Sequence, residues 1–123
     1  MSESVSTSME ALEKKRIDSL ICTENAVRHH PETYAEIRAQ LQQIRCFSLD
    51  ISEYHKTAKT LSELLKILCP VGRDSVFEYF RVHIDPRIKG DPRYFRAMCL
   101  DLEEQISLFE YWRRERRCLR RLK

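Results

Sequence analysis

The sequence predicts an all-α protein: an elongated antiparallel helical bundle or hairpin built on a long central helix, with a short fourth helix in the connection. Three observations carry that prediction. Apolar residues recur at steps of three and four from residue 31 to 68, with no Gly and no internal Pro. The whole chain of 123 residues holds 2 Gly and 4 Pro while 33% of it is charged, which suits solvated helices and not the turn-rich sequence of a β-sandwich. The single stretch with strand-like content, 75–84, has no second strand elsewhere to pair with.

Residues 1–6 are small and polar and read as a flexible N-terminus. The first helix is expected to start at Thr7, where Thr7 and Glu10 form a capping-box pattern. Met9, Leu12, Arg16 and Leu20 mark one row on it, and Ile17, Leu20, Ile21 and Val27 mark a neighbouring one. It ends at His29-His30, because Pro31 disfavours helical conformation in the residue before it and a helix C-terminus favours positive charge.

The central helix carries Tyr34, Ile37, Leu41, Ile44, Phe47, Ile51, Tyr54, Ala58, Leu61, Leu65 and Leu68. As one rod it would be roughly 57 Å long at the α-helical rise. Two helices stacked end to end are the alternative, since Asp50 and Glu53 offer another capping box and the apolar stripe shifts sideways near Ser48 to Asp50. Beyond Thr60 the apolar residues Leu61, Leu64, Leu65, Ile67 and Leu68 cover more than half the circumference, which predicts burial from two sides.

Cys69-Pro70-Val71-Gly72 stops that helix. The segment from Ser75 to Ile84 is read as a short helix, with Ser75 and Glu78 as its capping box. A loop with two Asp-Pro-Arg copies follows, at 85–87 and 91–93. Asp91 is a good N-cap and Pro92 a good first helical residue, so the second copy opens the last helix. That helix carries Phe95, Cys99, Leu102, Ile106, Phe109 and Trp112, then runs into an arginine-rich end.

The length is one domain's worth, so 7–123 is read as a single all-helical domain ending in a basic tail, 113–123. That tail holds seven Arg or Lys against Glu115, a charge of +6, so the chain's net +3 leaves −3 for residues 1–112. Five cysteines at 22, 46, 69, 99 and 118, with no Cys-x-x-Cys pair, suit neither a disulfide framework nor a zinc site and are read as reduced thiols. No run reaches the eighteen or so apolar residues of a membrane span, and no basic-then-apolar leader opens the chain. Cytoplasm or nucleus is the expected location.

Chemistry-bearing constellations are sparse. Cys22 with His29 and His30 matches no usual metal-ligand spacing, and no local signature supports a Cys-His nucleophile pair. Arg87, Lys89 and Arg93 lie near a helix N-terminus, where a phosphate could bind, but turn punctuation accounts for that loop. With no Gly-rich phosphate loop, two-His motif or nucleophile elbow, the sequence is read as non-catalytic, without metal or cofactor.

The expected function is that of a helical interaction protein, a subunit or adaptor of a complex. Its expected interface is Phe47, Leu49, Leu61, Leu64, Leu65 and Leu68, whose apolar width exceeds what two neighbouring helices would cover. The partner is a second copy or another helical subunit. The alternative is a sequence-tolerant binder of duplex RNA or DNA, or of another anionic partner. It would use Arg113, Arg114, Arg116, Arg117, Arg120, Arg121 and Lys123, with Trp112 beside them.

Overall fold

In the computed structural model of the chain the backbone is described for residues 2–46, 51–69, 75–84 and 91–122, and side chains for 9–45, 53–69, 75–84 and 91–116. The described residues form five helices and no strand: α1 (Ser2–His29), α2 (Pro31–Cys46), α3 (Ile51–Leu68), α4 (Val76–Ile84) and α5 (Pro92–Leu122). The all-α class is thus as the sequence predicts.

α1 begins at Ser2, ahead of the expected Thr7 cap, so the backbone of residues 2–6 belongs to the helix. His30 joins α1 to α2: its N–H donates to the Ala26 carbonyl at 3.1 Å, and its own carbonyl accepts the Tyr34 N–H at 3.1 Å. Pro31 then occupies the first turn of α2, where its missing N–H costs nothing.

The central helix differs from the predicted rod. A straight rod would hold Leu68 about 51 Å from Tyr34, yet Phe77, nine residues beyond Leu68, meets the Tyr34 ring at a centroid distance of 6.1 Å. The segment is instead two helices, α2 and α3, packed against each other. The restart expected near Ser48 to Asp50 lies outside the described residues. α2 runs antiparallel to α5: its first turn reaches Phe109, with rings 6.2 Å apart, and its last turn borders Cys99 and Arg96. Tyr54, near the start of α3, packs edge-on against Phe95 at 5.1 Å.

α3 ends where Cys69 donates its N–H to the Leu65 carbonyl, ahead of Pro70. α4 follows as a helix, and its Phe77, Phe80 and Ile84 are buried. At the start of α5 the expected cap is formed, with the Asp91 side chain accepting the Arg93 N–H at 2.9 Å and its carbonyl accepting that of Phe95.

One hydrophobic core draws on all five helices, from Leu20 and Val27 of α1 through Ile37, Leu61, Leu65 and Phe77 to Leu102 and Phe109. α1 enters it with its C-terminal third only, lying across the end of the bundle where α2 and α4 begin and α5 passes. Thr23 holds the first turn of α4 there, and Glu24 pairs with Arg113 of α5. No helix among the described residues is long and apolar enough to cross a membrane.

Candidate interaction surfaces

The leucines expected to face a partner face the chain itself. Leu61, Leu65 and Leu68 are fully buried, and Leu64 is half-buried against the same core. α4 supplies the cover, since α3 packs more extensively on α4 than on any other helix. Treating α4 as a mere connection, with α2 and α3 as one rod, left those leucines without the neighbours that in fact enclose them. Phe47 and Leu49 lie outside the described residues. Among the described residues the large apolar side chains that remain exposed are elsewhere: Met9, Leu12, Ile17 and Ile21 on α1, Ile67 on α3, Tyr79 and Val82 on α4, and Leu100, Leu108 and Tyr111 on α5.

The basic end of α5 is not a uniform free patch. Arg113 belongs to an internal network at the bundle end. Its Nε lies 2.9 Å from Glu24 Oε2, a close ion contact off the line of a hydrogen bond, and its Nη1 lies 3.8 Å from Glu110 Oε1. The Arg28 Nε donates to the other oxygen of Glu24 at 2.9 Å. Tyr34 donates its hydroxyl to Glu110 at 2.6 Å. Burial, reinforced by the hydrogen bond to Glu110 and that carboxylate's charge, raises the Tyr34 hydroxyl above the usual phenol range.

Trp112 is half-buried against the core and stacks on Phe109 at 6.2 Å, so its ring is a packing group and not a free platform for a base. Arg116 lies over that indole at 5.3 Å. Arg114 is exposed. The helix carrying the block continues to Leu122, while the side chains of Arg117, Arg120 and Arg121, and all of Lys123, lie outside the described residues.

A further surface, not singled out from the sequence, is an open groove of about 570 Å³ between α2 and α5. Arg38 and Arg45 stand on its α2 wall and Glu103 on its α5 wall; Ala35, Ala39 and Ser107 keep it shallowly filled. A second depression of about 130 Å³ extends it past Arg45 and Glu103 to Arg96 and Leu100. The opposite flank of α5, toward α4, has a depression of about 330 Å³ lined by Tyr79, Phe80, Asp101 and Glu104. α5 therefore separates an arginine-lined groove from an acidic one. The spacing of Arg38 and Arg45, seven residues apart and off the buried stripe of α2, was the signal available in the sequence.

Among the described residues no group of three or more His, Cys, Asp or Glu side chains is arranged to hold a metal. His29 hydrogen-bonds back to the Asn25 carbonyl at 2.8 Å, and His83 pairs with the Tyr94 hydroxyl at 2.7 Å. Cys22, Cys69 and Cys99 are free thiols. Burial raises Cys69, and it pushes Cys99 up to about 12 with a smaller contribution from Glu103. Neither is a ready nucleophile at neutral pH. No protein-family model, curated protein or solved structure matches the chain.

Proposed function

We propose that the chain is a non-catalytic helical interaction protein, a subunit or adaptor that joins a complex by helix packing. The observation that supports this reading best is α1. Its residues 9–18 are all exposed, including Met9 at 66% and Leu12 at 68%. Met9 lies on the row that continues into the core as Leu20, Thr23 and Val27. A helix of this kind is marginal in water without packing, because nucleation is costly and most helical stability comes from a buried face. A second helix laid on that row would supply the packing.

The test is the mass of the native particle. Cross-linked and size-fractionated extract of cells that make the protein should carry it above its 14.7 kDa chain mass, and Leu12→Asp should shift it toward that mass without unfolding the purified chain. Wild-type protein running at the chain mass both purified at micromolar concentration and in extract would overturn the reading.

A second reading, binding of RNA or DNA through the basic end, is favoured by α5 remaining helical to Leu122, which presents Arg114, Arg117, Arg120 and Arg121 along a helix. Arg113 and Trp112 drop out of that set because they are engaged in the fold. Changing those four arginines to Glu should abolish retention of random duplex RNA and DNA at low salt. If the wild type retains neither duplex, or the changed chain retains both, this reading fails.

A further inference from the structure

We propose that the groove between α2 and α5 is a docking site for an acidic amphipathic helix of a partner protein, whose carboxylates, seven residues apart, meet Arg38 and Arg45. The inference deepens the interaction reading above and rests on it.

Charge is the first argument. Arg38 and Arg45 lie two helical turns apart on one wall, about 10 Å from each other along α2, and both are exposed. Arg38 has the Tyr34 ring beneath it at 5.8 Å. Among the described residues neither arginine has a carboxylate within ion-pair distance, whereas Arg28, Arg81 and Arg113 all have one. Among the described residues Glu103 is the one acid lining the groove, so their charge there is net positive while the far side of α5 carries Asp101 and Glu104. Two guanidiniums at one heptad's spacing are matched by two carboxylates at the same spacing on a second helix, each pair bidentate.

Shape is the second. Ala35, Ala39 and Ser107 present no large side chain, so a helix backbone can come close. Leu41 and Ile106 form the apolar floor, and Leu100, 54% exposed, continues it along α5. From Ala35 to Arg45 the wall is about 15 Å long, enough for some three turns of a partner helix. A nucleic-acid strand fits less well. Among the described lining residues the arginines stand on one wall and no aromatic ring is there to stack a base.

The test uses the full chain and three labelled peptides of about 16 residues, all helical and with the same leucine face. One has two Glu seven residues apart on one flank, one has Lys at those two positions, and one has the first peptide's sequence scrambled. Fluorescence anisotropy should show the Glu peptide binding and the other two not, with affinity falling as salt is added. The double variant Arg38→Glu, Arg45→Glu should lose the Glu peptide by about tenfold or more and gain the Lys peptide. Circular dichroism and thermal melting should leave it folded, since both side chains are at the surface. Failure of the Glu peptide to bind at 100 μM, or binding indifferent to the double reversal, overturns the proposal. So does an oligonucleotide that binds through Arg38 and Arg45 where the Glu peptide does not. Failure here with the chain still in a high-mass complex in extract refutes the groove alone, whereas a chain at monomer mass in extract refutes the interaction reading itself.

Discussion

The hydroxyl of Thr23 in α1 accepts a hydrogen bond from the Val76 N–H at 3.2 Å, capping the first turn of α4 from 53 residues away. The same hydroxyl donates to the Ser19 carbonyl at 2.7 Å, so both of its roles are used inside the core. The local cap, Ser75 Oγ, is buried and has no partner among the described residues.

Thr23→Val keeps the side-chain shape but takes this acceptor away from the partly buried Val76 N–H. Loss of a cap and its hydrogen bond should cost about 1–2 kcal/mol, while Thr23→Ser, which keeps the oxygen, should cost under about 1 kcal/mol. Urea unfolding measures both. Amide exchange should accelerate first at Val76 and Phe77; equal losses for Val and Ser would show that the methyl, not the oxygen, matters.

Neighbouring arginines should behave oppositely on reversal. Arg113→Glu would set a third carboxylate beside Glu24 and Glu110 and leave Glu24, 5% exposed, with Arg28 alone. Breaking an ion pair at a buried carboxylate costs about 3–5 kcal/mol, and the partial exposure of Arg113 brings the expectation to roughly 2–3 kcal/mol. Arg114→Glu should change stability by less than about 0.5 kcal/mol. Thermal melts of the two variants compare them directly, and similar melts would remove Arg113 from the internal network.

Local signals in the sequence were legible, and tertiary ones were not. Pro31, Cys69-Pro70 and Asp91-Pro92 mark helix boundaries because caps and proline act within a turn, and those boundaries are found. The buried row Phe95, Cys99, Leu102, Ile106 and Phe109 follows from the 3.6 period alone. Periodicity does not report whether a neighbour exists: Met9 and Leu12 continue the α1 row yet stay exposed, and Leu65 has α4 against it. The Thr23 cap and the Glu24–Arg113 contact join residues far apart in sequence, so no window along the chain contains them. The groove escaped for the same reason, since Arg38 and Arg45 gain meaning only once α5 is placed beside α2.

Leu65→Asp should unfold the chain and not merely dissociate it. Leu65 is fully buried in the chain's own core, so the carboxylate would lose hydration without gaining a partner. The cost should exceed about 4 kcal/mol, a large part of a small domain's stability. Far-ultraviolet circular dichroism would show the loss of helix; a fully helical variant of lower mass would instead place Leu65 in an interface.

Alkaline pH should expose the contribution of Cys99. Burial in the core of α5, with a smaller push from Glu103, raises its thiol from the ordinary 9.0 to about 12. An acid raised in the folded state keeps its proton there while the unfolded chain gives it up. Stability is therefore fully present below about pH 9 and is lost as pH rises toward 12, by about 1.4 kcal/mol at pH 10. Cys69, also raised by burial, adds in the same direction, and Tyr34 and Tyr54 join above about pH 10. Cys99→Ala should cost about 1 kcal/mol at pH 7 through the small cavity it leaves, yet fall less steeply with pH. Urea unfolding at pH 7, 9 and 10 should thus bring the two proteins to nearly equal stability at the highest pH. Parallel decline of wild type and variant would mean that the titrating group in this window is not Cys99.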